Sequence, residues 1–561
     1  MPQNQRVAFA TEPELDPAQS GTAEILKELS APLQVHSSEY TQPRTAVRDV
    51  LIAVATALAL RIPYFRGRMF PLNDGGMFAQ IIDDIRAAHF VLPTHTTYNL
   101  LDIPLSYPPL AFYLGALCTL FTGQSAVSVL VWLPLLLNLI TVVMVYLIAK
   151  EIYPSGFYAC LAACCFASIG RSAEWLTMGG GLTRGLGMLC ATVAILLYLR
   201  SRKHNSLTLA AWSGVWVGLA IASHLEGGIF AAFSLVVLSI LLENRWQNIR
   251  LVALAGAVSI IVVLPWMIWL YRHLGFGPLM NAGPTGGSYY LPRNVTILGF
   301  LVASVIFAVV ARFPYVCWLA VIPLIMRRSG PTYGAAVGGL CMVWFANAIV
   351  VLLARRGVRL RRWRTTVVVV LAIAFSLQFS GMPRIRRDRL ADLRSNSRAQ
   401  VSPAGLAGMQ AAGRLTPMNA KFFVFNQRFG NWPTDMVAEW FPYFAKRQCV
   451  NTVQGREWLP NNAFFHAIEL GEELELSGSQ HVTATILEEL KPDYIFIAGP
   501  FNPNAGPFDE NQAWLASTLR LYAGSSPIYQ SSEVAIYKVQ RSELSASSTS
   551  SLQRHDQNQR N

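Results

Sequence analysis

The stretch Leu72-Asn73-Asp74-Gly75-Gly76-Met77-Phe78 follows closely on the first long apolar run of the chain, residues 47–65. An amphipathic segment continues to about His89, and Ile103-Pro-Leu-Ser-Tyr107-Pro108-Pro109-Leu110-Ala-Phe-Tyr113 comes after it. A carboxylate a few residues outside a membrane helix is costly to keep near lipid unless it has work or a partner. Two glycines beside Asp74 leave the backbone free to turn and a bulky ligand free to approach. An acid placed in this way suits a general base acting at the membrane surface on a lipid-carried substrate.

Composition supports the membrane setting. Of 561 residues, 53% are hydrophobic and 14% charged, with a mean hydropathy of +0.36. Soluble domains carry roughly a quarter charged residues, so much of this chain lies in lipid. The net charge of +13 comes from basic residues gathered in short inter-helix loops. That is the positive-inside pattern, and it argues against nucleic acid as a partner. Cys118, Cys160, Cys164, Cys165, Cys190, Cys317 and Cys341 lie in apolar segments and read as small core hydrophobes. Cys449 stands alone in the C-terminal part, so no disulfide framework is available there.

Taken at about 17–25 residues per span, the apolar stretches fall at 47–65, 126–149, 155–171, 183–200, 207–223, 228–243, 250–271, 295–311, 314–326, 332–353 and 365–380. The basic clusters Arg200-Ser-Arg202-Lys203 and Arg355-Arg356-Gly-Val-Arg359-Leu-Arg361-Arg362-Trp-Arg364 belong in the cytoplasm. Threading the spans between them sends Asp74, loop 172–182, the 224–227 turn, loop 272–294 and everything after 380 outside. Arg327-Arg328 breaks the charge rule in this count. Segment 107–122 is long enough to cross, but counting it as a span would invert all later loops. It reads as a helix on or dipping into the outer leaflet, packed against 77–89.

Residues 1–45 are polar and acid-leaning, lack the apolar core of a signal peptide, and read as a disordered cytoplasmic leader. The expected organisation continues with a membrane domain over 46–380, whose first external loop is 66–106. A linker rich in arginine (Arg384 to Arg394) and a small external α/β domain occupy 381–540, and 541–561 form a disordered tail. Within the α/β domain, strands are expected at 421–425, 494–497 and 534–537, with helices at 482–490 and 512–523.

The loop resembles that of the polytopic lipid-linked-sugar glycosyltransferases, the GT-C-fold group that includes the protein O-mannosyltransferases and the aminoarabinose transferase. In that family the first external loop opens with a catalytic Asp or Glu. It continues as a membrane-parallel amphipathic helix and reaches a Pro-Pro-Leu helix start. Asp74 and Tyr107-Pro108-Pro109-Leu110 match position by position. Many members follow the acid with a second acid; here Gly75 follows, which speaks against an acidic metal-binding pair. The resemblance implies a mainly α fold: a polytopic α-helical membrane protein of about 11 spans, GT-C-like, with a small C-terminal extracytoplasmic α/β domain. It also implies a multi-pass protein of the plasma (inner) membrane, N-terminus cytoplasmic. The activity implied is sugar transfer from a polyprenyl-phosphate donor to an extracytoplasmic acceptor (protein, lipid or glycan) with inversion, Asp74 taking the acceptor's proton.

Other candidate residues fall on the same external side. Arg171 through Gly179-Gly-Gly181-Leu-Thr183-Arg184 places glycines, Thr and Arg at a helix start. There, backbone N–H groups and a guanidinium can hold a phosphate; a flexible turn with an interfacial Arg is the alternative. His224 and Glu226 read as a hydrogen-bonded pair lining a sugar pocket or as a turn cap, with Glu174 as a candidate neighbour. Their i, i+2 spacing does not share a helical face, so they make a weak metal site. Metal dependence stays open, a divalent ion being compatible, and no other cofactor is implied. Loop 272–294 reads first as an interfacial aromatic belt and alternatively as a lid whose Arg293 touches phosphate. Tyr107 completes the set of substrate-binding candidates. Asp83 and Asp84 read as the wet face of the amphipathic run, a substrate contact by either being the alternative, and Trp432, Trp440 and Trp458 as core or as a sugar- or peptide-facing surface.

Two other classes share this body plan: a transporter or flippase of lipid-linked glycans, and a non-catalytic membrane scaffold with an external domain. Transporters tend to show paired inverted repeats with broken helices at mid-membrane. No such halves are visible, and the polar residues gather at one membrane face.

Overall fold

The computed structural model describes residues 43–65, 70–71, 75–153, 155–284, 315–326, 329–356, 358, 363–379, 401–426, 435–477, 480–499, 519, 522 and 526–540. Asp74, Arg293, stretch 295–311, Arg327-Arg328, the Arg384–Arg394 linker, Trp432, most of the helix expected at 512–523 and both chain ends lie outside the described residues. The molecule is mainly helical. The N-terminal helices are α1 (Pro43–Phe65), α2 (Gly76–Ala87), α3 (Leu110–Thr122), α4 (Ala126–Ile152), α5 (Gly156–Ser168) and the short α6 (Glu174–Thr177). Then come α7 (Gly181–His204), α8 (Leu207–Ser223), α9 (Leu225–Leu241), α10 (Arg245–His273) and α11 (Gly277–Ala282). The bundle continues with α12 (Tyr315–Met326), α13 (Gly330–Arg355) and α14 (Arg364–Phe379). Each predicted apolar stretch that lies within the described residues is helical. Among those residues, α4, α7, α10 and α13 are long and apolar enough to cross a membrane.

Local chemistry sets the helix ends. Ser125 and Ser206 accept from the backbone N–H groups of Ser128 and Leu209, capping α4 and α8. α7 stops at Asn205 in the left-handed region, after Arg202, Lys203 and His204 in its last turn. There Arg200 Nε lies 2.8 Å and Lys203 Nζ 3.3 Å from the two oxygens of Glu151 at the end of α4. The 24 residues of α7 span roughly 36 Å, so this basic cluster sits a membrane's thickness away from Gly181.

The C-terminal part adds α15 (Pro403–Leu415), α16 (Met436–Ala445), α17 (Ala463–Ser477) and α18 (Gln480–Leu490) to a five-stranded sheet. Two short strands precede it in the first loop, β1 (His95–Thr96) and β2 (Ile103–Pro104), paired antiparallel. The sheet strands are β3 (Lys421–Asn426), β4 (Gln448–Cys449), β5 (Tyr494–Ala498), β6 (Tyr529–Gln530) and β7 (Val534–Lys538), in the order β4-β3-β5-β7-β6. β3 runs parallel to β4 and β5, with Phe422 opposite Tyr494; β7 is antiparallel to β5. Alternation along the strands splits the core. Phe423, Phe425, Ile495 and Ile497 pack with Leu470, Leu474 and Leu487 of the flanking helices. Phe422, Val424, Phe496 and Ile536 face the other way and join the core of the helical bundle through Trp440 and Phe441. Covering on both faces explains why Tyr494-Ile-Phe-Ile497 is a continuous apolar run.

Tyr107, before the start of α3, packs on Trp458 with ring centroids 5.4 Å apart. Leu120, near its end, borders a cavity with Asp83, whose Oδ2 accepts from the Tyr443 hydroxyl at 2.8 Å. The helix itself packs along α2 through Gly115 and Ile82.

One expectation is corrected. Asp84 is not on a wet face but buried. It accepts from Gln80 Nε2 (2.8 Å), Thr96 Oγ1 (2.7 Å), Thr97 N (2.9 Å) and Thr97 Oγ1 (2.6 Å). Four donors to one carboxylate repay its desolvation, so it staples β1 to α2. Asp83 is half-buried and also bonded, through Tyr443.

Candidate active site

The turn that carries Asp74 in the sequence is fixed on its C-terminal side by close packing. A Cβ on Gly75 would lie 2.8 Å from Cζ2 of Trp440 and 3.4 Å from the Gly179 Cα, and one on Gly76 would meet the Glu439 carbonyl. Trp440 is fully buried, in ring contact with Phe70, Tyr443 and Phe444. The N-cap position of α2 is Gly75, which has no side chain to cap with. The rest of the first loop is clasped to the C-terminal part. The Tyr98 hydroxyl donates to the Glu439 carbonyl at 2.6 Å. The Met77 N–H donates to Gln454 Oε1 at 3.1 Å. The Asn99 amide exchanges two hydrogen bonds with the backbone of Cys449, at 3.0 and 2.6 Å.

From Gly179 the chain enters α7, and Arg184 stands in its first turn. Its guanidinium lies 5.0 Å from the Trp175 ring centroid and within 3.7 Å of Met178 Sδ. α7 then meets the 224 turn, where Gly187 and Gly227 pack backbone to backbone and a Cβ on Gly187 would come within 3.0 Å of the His224 Cβ. A side chain at either glycine would push the turn away from Arg184.

His224 belongs to neither helix. It is extended at φ −160° between α8 and α9, so the helical spacing argument does not govern it and its ring turns toward Glu226. The distance from Nδ1 to Glu226 Oε2 is 3.9 Å, and the Tyr333 hydroxyl lies 3.4 Å from Nδ1. Burial, with the Arg184 charge nearby, pushes the imidazole down to about 3. At neutral pH it is uncharged, so the pair is not a salt bridge. Glu226 Oε1 instead accepts from Ser329 Oγ at 2.6 Å. Tyr107 stands beside them, its ring centroid 6.2 Å from that of His224 and 5.5 Å from that of Phe78.

Arg184, His224, Glu226 and Tyr107 are thus brought into one neighbourhood bounded by α2, α3, α7 and the C-terminal part. Glu174 opens α6 in the same loop, but its side chain, like Asp74 and Arg293, lies outside the described residues. Sequence reasoning missed Ser329 and Tyr333, whose signal is a Ser-Gly-Pro helix start one turn ahead of a tyrosine. It also missed buried Arg61, which donates to Asn138 Oδ1 (2.6 Å) and Ser172 Oγ (3.2 Å), tying α1 and α4 to the 170–172 turn. Trp458 and Trp440 pack into the core. Among the described residues, no three His, Cys, Asp or Glu side chains gather as a metal-ligand set.

Residues 106–269, under a third of the chain, match the family model described as dolichyl-phosphate-mannose-protein mannosyltransferase. No curated protein matches the chain. Among solved structures, it is similar to the archaeal oligosaccharyltransferase AglB from Archaeoglobus fulgidus in complex with an inhibitory peptide and a dolichol-phosphate. Identity is 13% and TM-score 0.54, over 81% of this chain and 69% of that one. The apo form of an oligosaccharyltransferase from Archaeoglobus fulgidus matches at 12% identity and TM-score 0.51, over 82% and 70%. ArnT from Cupriavidus metallidurans aligns over 89% and 99% at 14% identity, with a TM-score of 0.46. By these comparisons the chain shares the fold of the archaeal oligosaccharyltransferases, and its residues 106–269 match the mannosyltransferase family model.

Proposed function

We propose that the chain transfers a sugar from a polyprenyl-phosphate donor to an extracytoplasmic acceptor hydroxyl or amine, with inversion at the anomeric carbon. The N-terminus is cytoplasmic in this reading and the C-terminal part faces outward. The position of the Arg200–Lys203 cluster, at the end of α7 away from that part, supports this orientation. Asp74 accepts the proton as the acceptor attacks, the anomeric C–O bond breaks, and the polyprenyl phosphate leaves as an anion. Arg184 clamps that phosphate, with Arg293 as a second cation from loop 272–294. A stable anionic leaving group needs stabilisation of charge more than a general acid. Neutral His224, Glu226 and Tyr107, braced by Tyr333 and Ser329, supply hydrogen bonds to the sugar. No step here requires a metal ion.

The observation that carries the reading is the meeting of Gly75 and Gly179, which joins the residue after Asp74 to the loop leading into Arg184. The AglB structure holds a dolichol-phosphate, a ligand of the class proposed. Asp74→Asn tests it. Asn keeps the shape but cannot take a proton at neutral pH, so transfer from a polyprenyl-phosphate sugar in membranes should fall by roughly 10²–10⁴-fold with thermal stability near wild type. Near wild-type turnover by the Asn variant would remove Asp74 as the base.

A further inference from the structure

At the end of α2 far from Gly75, a cavity of about 480 Å³ is lined by Asp83, Arg86, Ala87, His89, Phe90 and Leu120. Asp83 is seven residues beyond Gly76, roughly 10 Å along α2 at 1.5 Å per residue, so the cavity lies at the end of that helix away from Gly75. We propose that the cavity binds the headgroup of a zwitterionic, amine-bearing phospholipid of the surrounding leaflet.

Three features point to that chemistry. Arg86 and His89 are exposed, and among the described residues neither side chain makes a hydrogen bond or ion pair. A guanidinium and an imidazole at one rim suit a phosphate diester. Opposite in charge, the Asp83 carboxylate is oriented by the Tyr443 hydroxyl at 2.8 Å; it shares the field of the Lys446 ammonium, which lies over the Tyr443 ring, and keeps lone pairs for a second ammonium group. The third feature is apolar. Leu117, Leu120 and Phe121 are 39%, 52% and 82% exposed. Their i, i+3, i+4 spacing makes one stripe on α3 that runs out from the cavity as a track for an acyl chain. The rim is also held in place: His89 and Phe90 sit at φ 52° and 64°, a region bulky residues rarely occupy. Phe90 is fixed there by its N–H to the Ile85 carbonyl at 2.8 Å and by the Tyr113 hydroxyl on its own carbonyl at 3.2 Å. A soluble acceptor would use the charges and leave the exposed stripe without purpose. A phospholipid uses both.

The full-length protein, purified in detergent and given equal amounts of phosphatidylethanolamine, phosphatidylcholine and phosphatidylglycerol, should retain the ethanolamine lipid preferentially by native mass spectrometry. Arg86→Gln should lower that retention about tenfold, the scale of one charge-assisted hydrogen bond, and Asp83→Asn should abolish the preference over phosphatidylcholine. His89→Gln serves as a second variant should Arg86→Gln fail to fold by thermal unfolding. Equal retention of all three lipids by wild type and variants would overturn the proposal. So would water-soluble glycerophosphoethanolamine binding as tightly as the lipid, which would make this a site for a soluble ligand.

Discussion

Trp440 lies edge-on against Gly75, so close that a single added methyl would stand 2.8 Å from its Cζ2. The indole belongs to the C-terminal part and the glycine to the first loop, so the residue after Asp74 is positioned by a side chain more than 360 residues away in sequence. Gly75→Ala should therefore cut sugar transfer by at least about tenfold while the protein still inserts and folds, since a displacement near 1 Å at a reacting group has effects of that scale. In a double-mutant cycle with Trp440→Leu, the two losses should be less than additive. Full activity in Gly75→Ala membranes would show that this contact does not govern the turn.

Arg184→Ala should weaken use of the lipid-phosphate donor far more than folding, because a guanidinium contact is lost in a poorly hydrated place. Arg184→Lys should restore part of it, a point charge lacking the planar fork. Initial rates against donor concentration separate this from a folding defect. Unchanged rates for the Ala variant would return Arg184 to an interfacial anchor stacked on Trp175.

His224 gives a pH signature. Its pKa is lowered in the folded protein from the usual 6.5 to about 3. Above pH 6.5 the ring is neutral in both folded and unfolded chains and stability is unaffected. As pH falls below 6.5 the unfolded chain takes up a proton that the folded chain refuses, and stability declines until about pH 3. At pH 5 the loss should be about 2 kcal/mol. Thermal unfolding in detergent between pH 7 and 4 should show a shallower decline for His224→Asn than for wild type; identical slopes would refute the assignment.

The clasp at Asn99 has a different readout. Asn99→Ala would orphan the buried N–H and carbonyl of Cys449 at a cost of about 1–3 kcal/mol each. It would also place alanine at φ 58°, a left-handed conformation that asparagine tolerates better. Asn99→Asp keeps the acceptor and the backbone preference, so it should fall between wild type and Ala in melting temperature. An Ala variant that melts with wild type would show that the clasp adds nothing to stability.

The sequence made a good part of this legible, for identifiable reasons. Apolar length marks the membrane helices and a two-sided apolar run marks β5, because both are local properties of the chain. That Arg184, His224, Glu226 and Tyr107 share one neighbourhood could be anticipated, because loops at one end of a helical bundle are forced into proximity by the helices between them. Ser329, Tyr333 and the Trp440 contact were not legible, since which helix end packs beside which loop is decided by side-chain fit between distant segments. Asp84 shows the limit of periodicity. An acid at a polar position of an amphipathic helix reads as solvated, and only the fold reveals the two threonines and the glutamine that enclose it.

The alternating strands of the C-terminal sheet carry one more consequence. Since Phe422, Val424, Phe496 and Ile536 belong to the same apolar core as the bundle helices, cutting the chain before α15 would expose that entire face to water. The C-terminal part is not a module that can be excised or transplanted. Expressed by itself it should aggregate or pair through the uncovered face, and chains truncated before it should be cleared from the membrane rather than accumulate as a smaller enzyme.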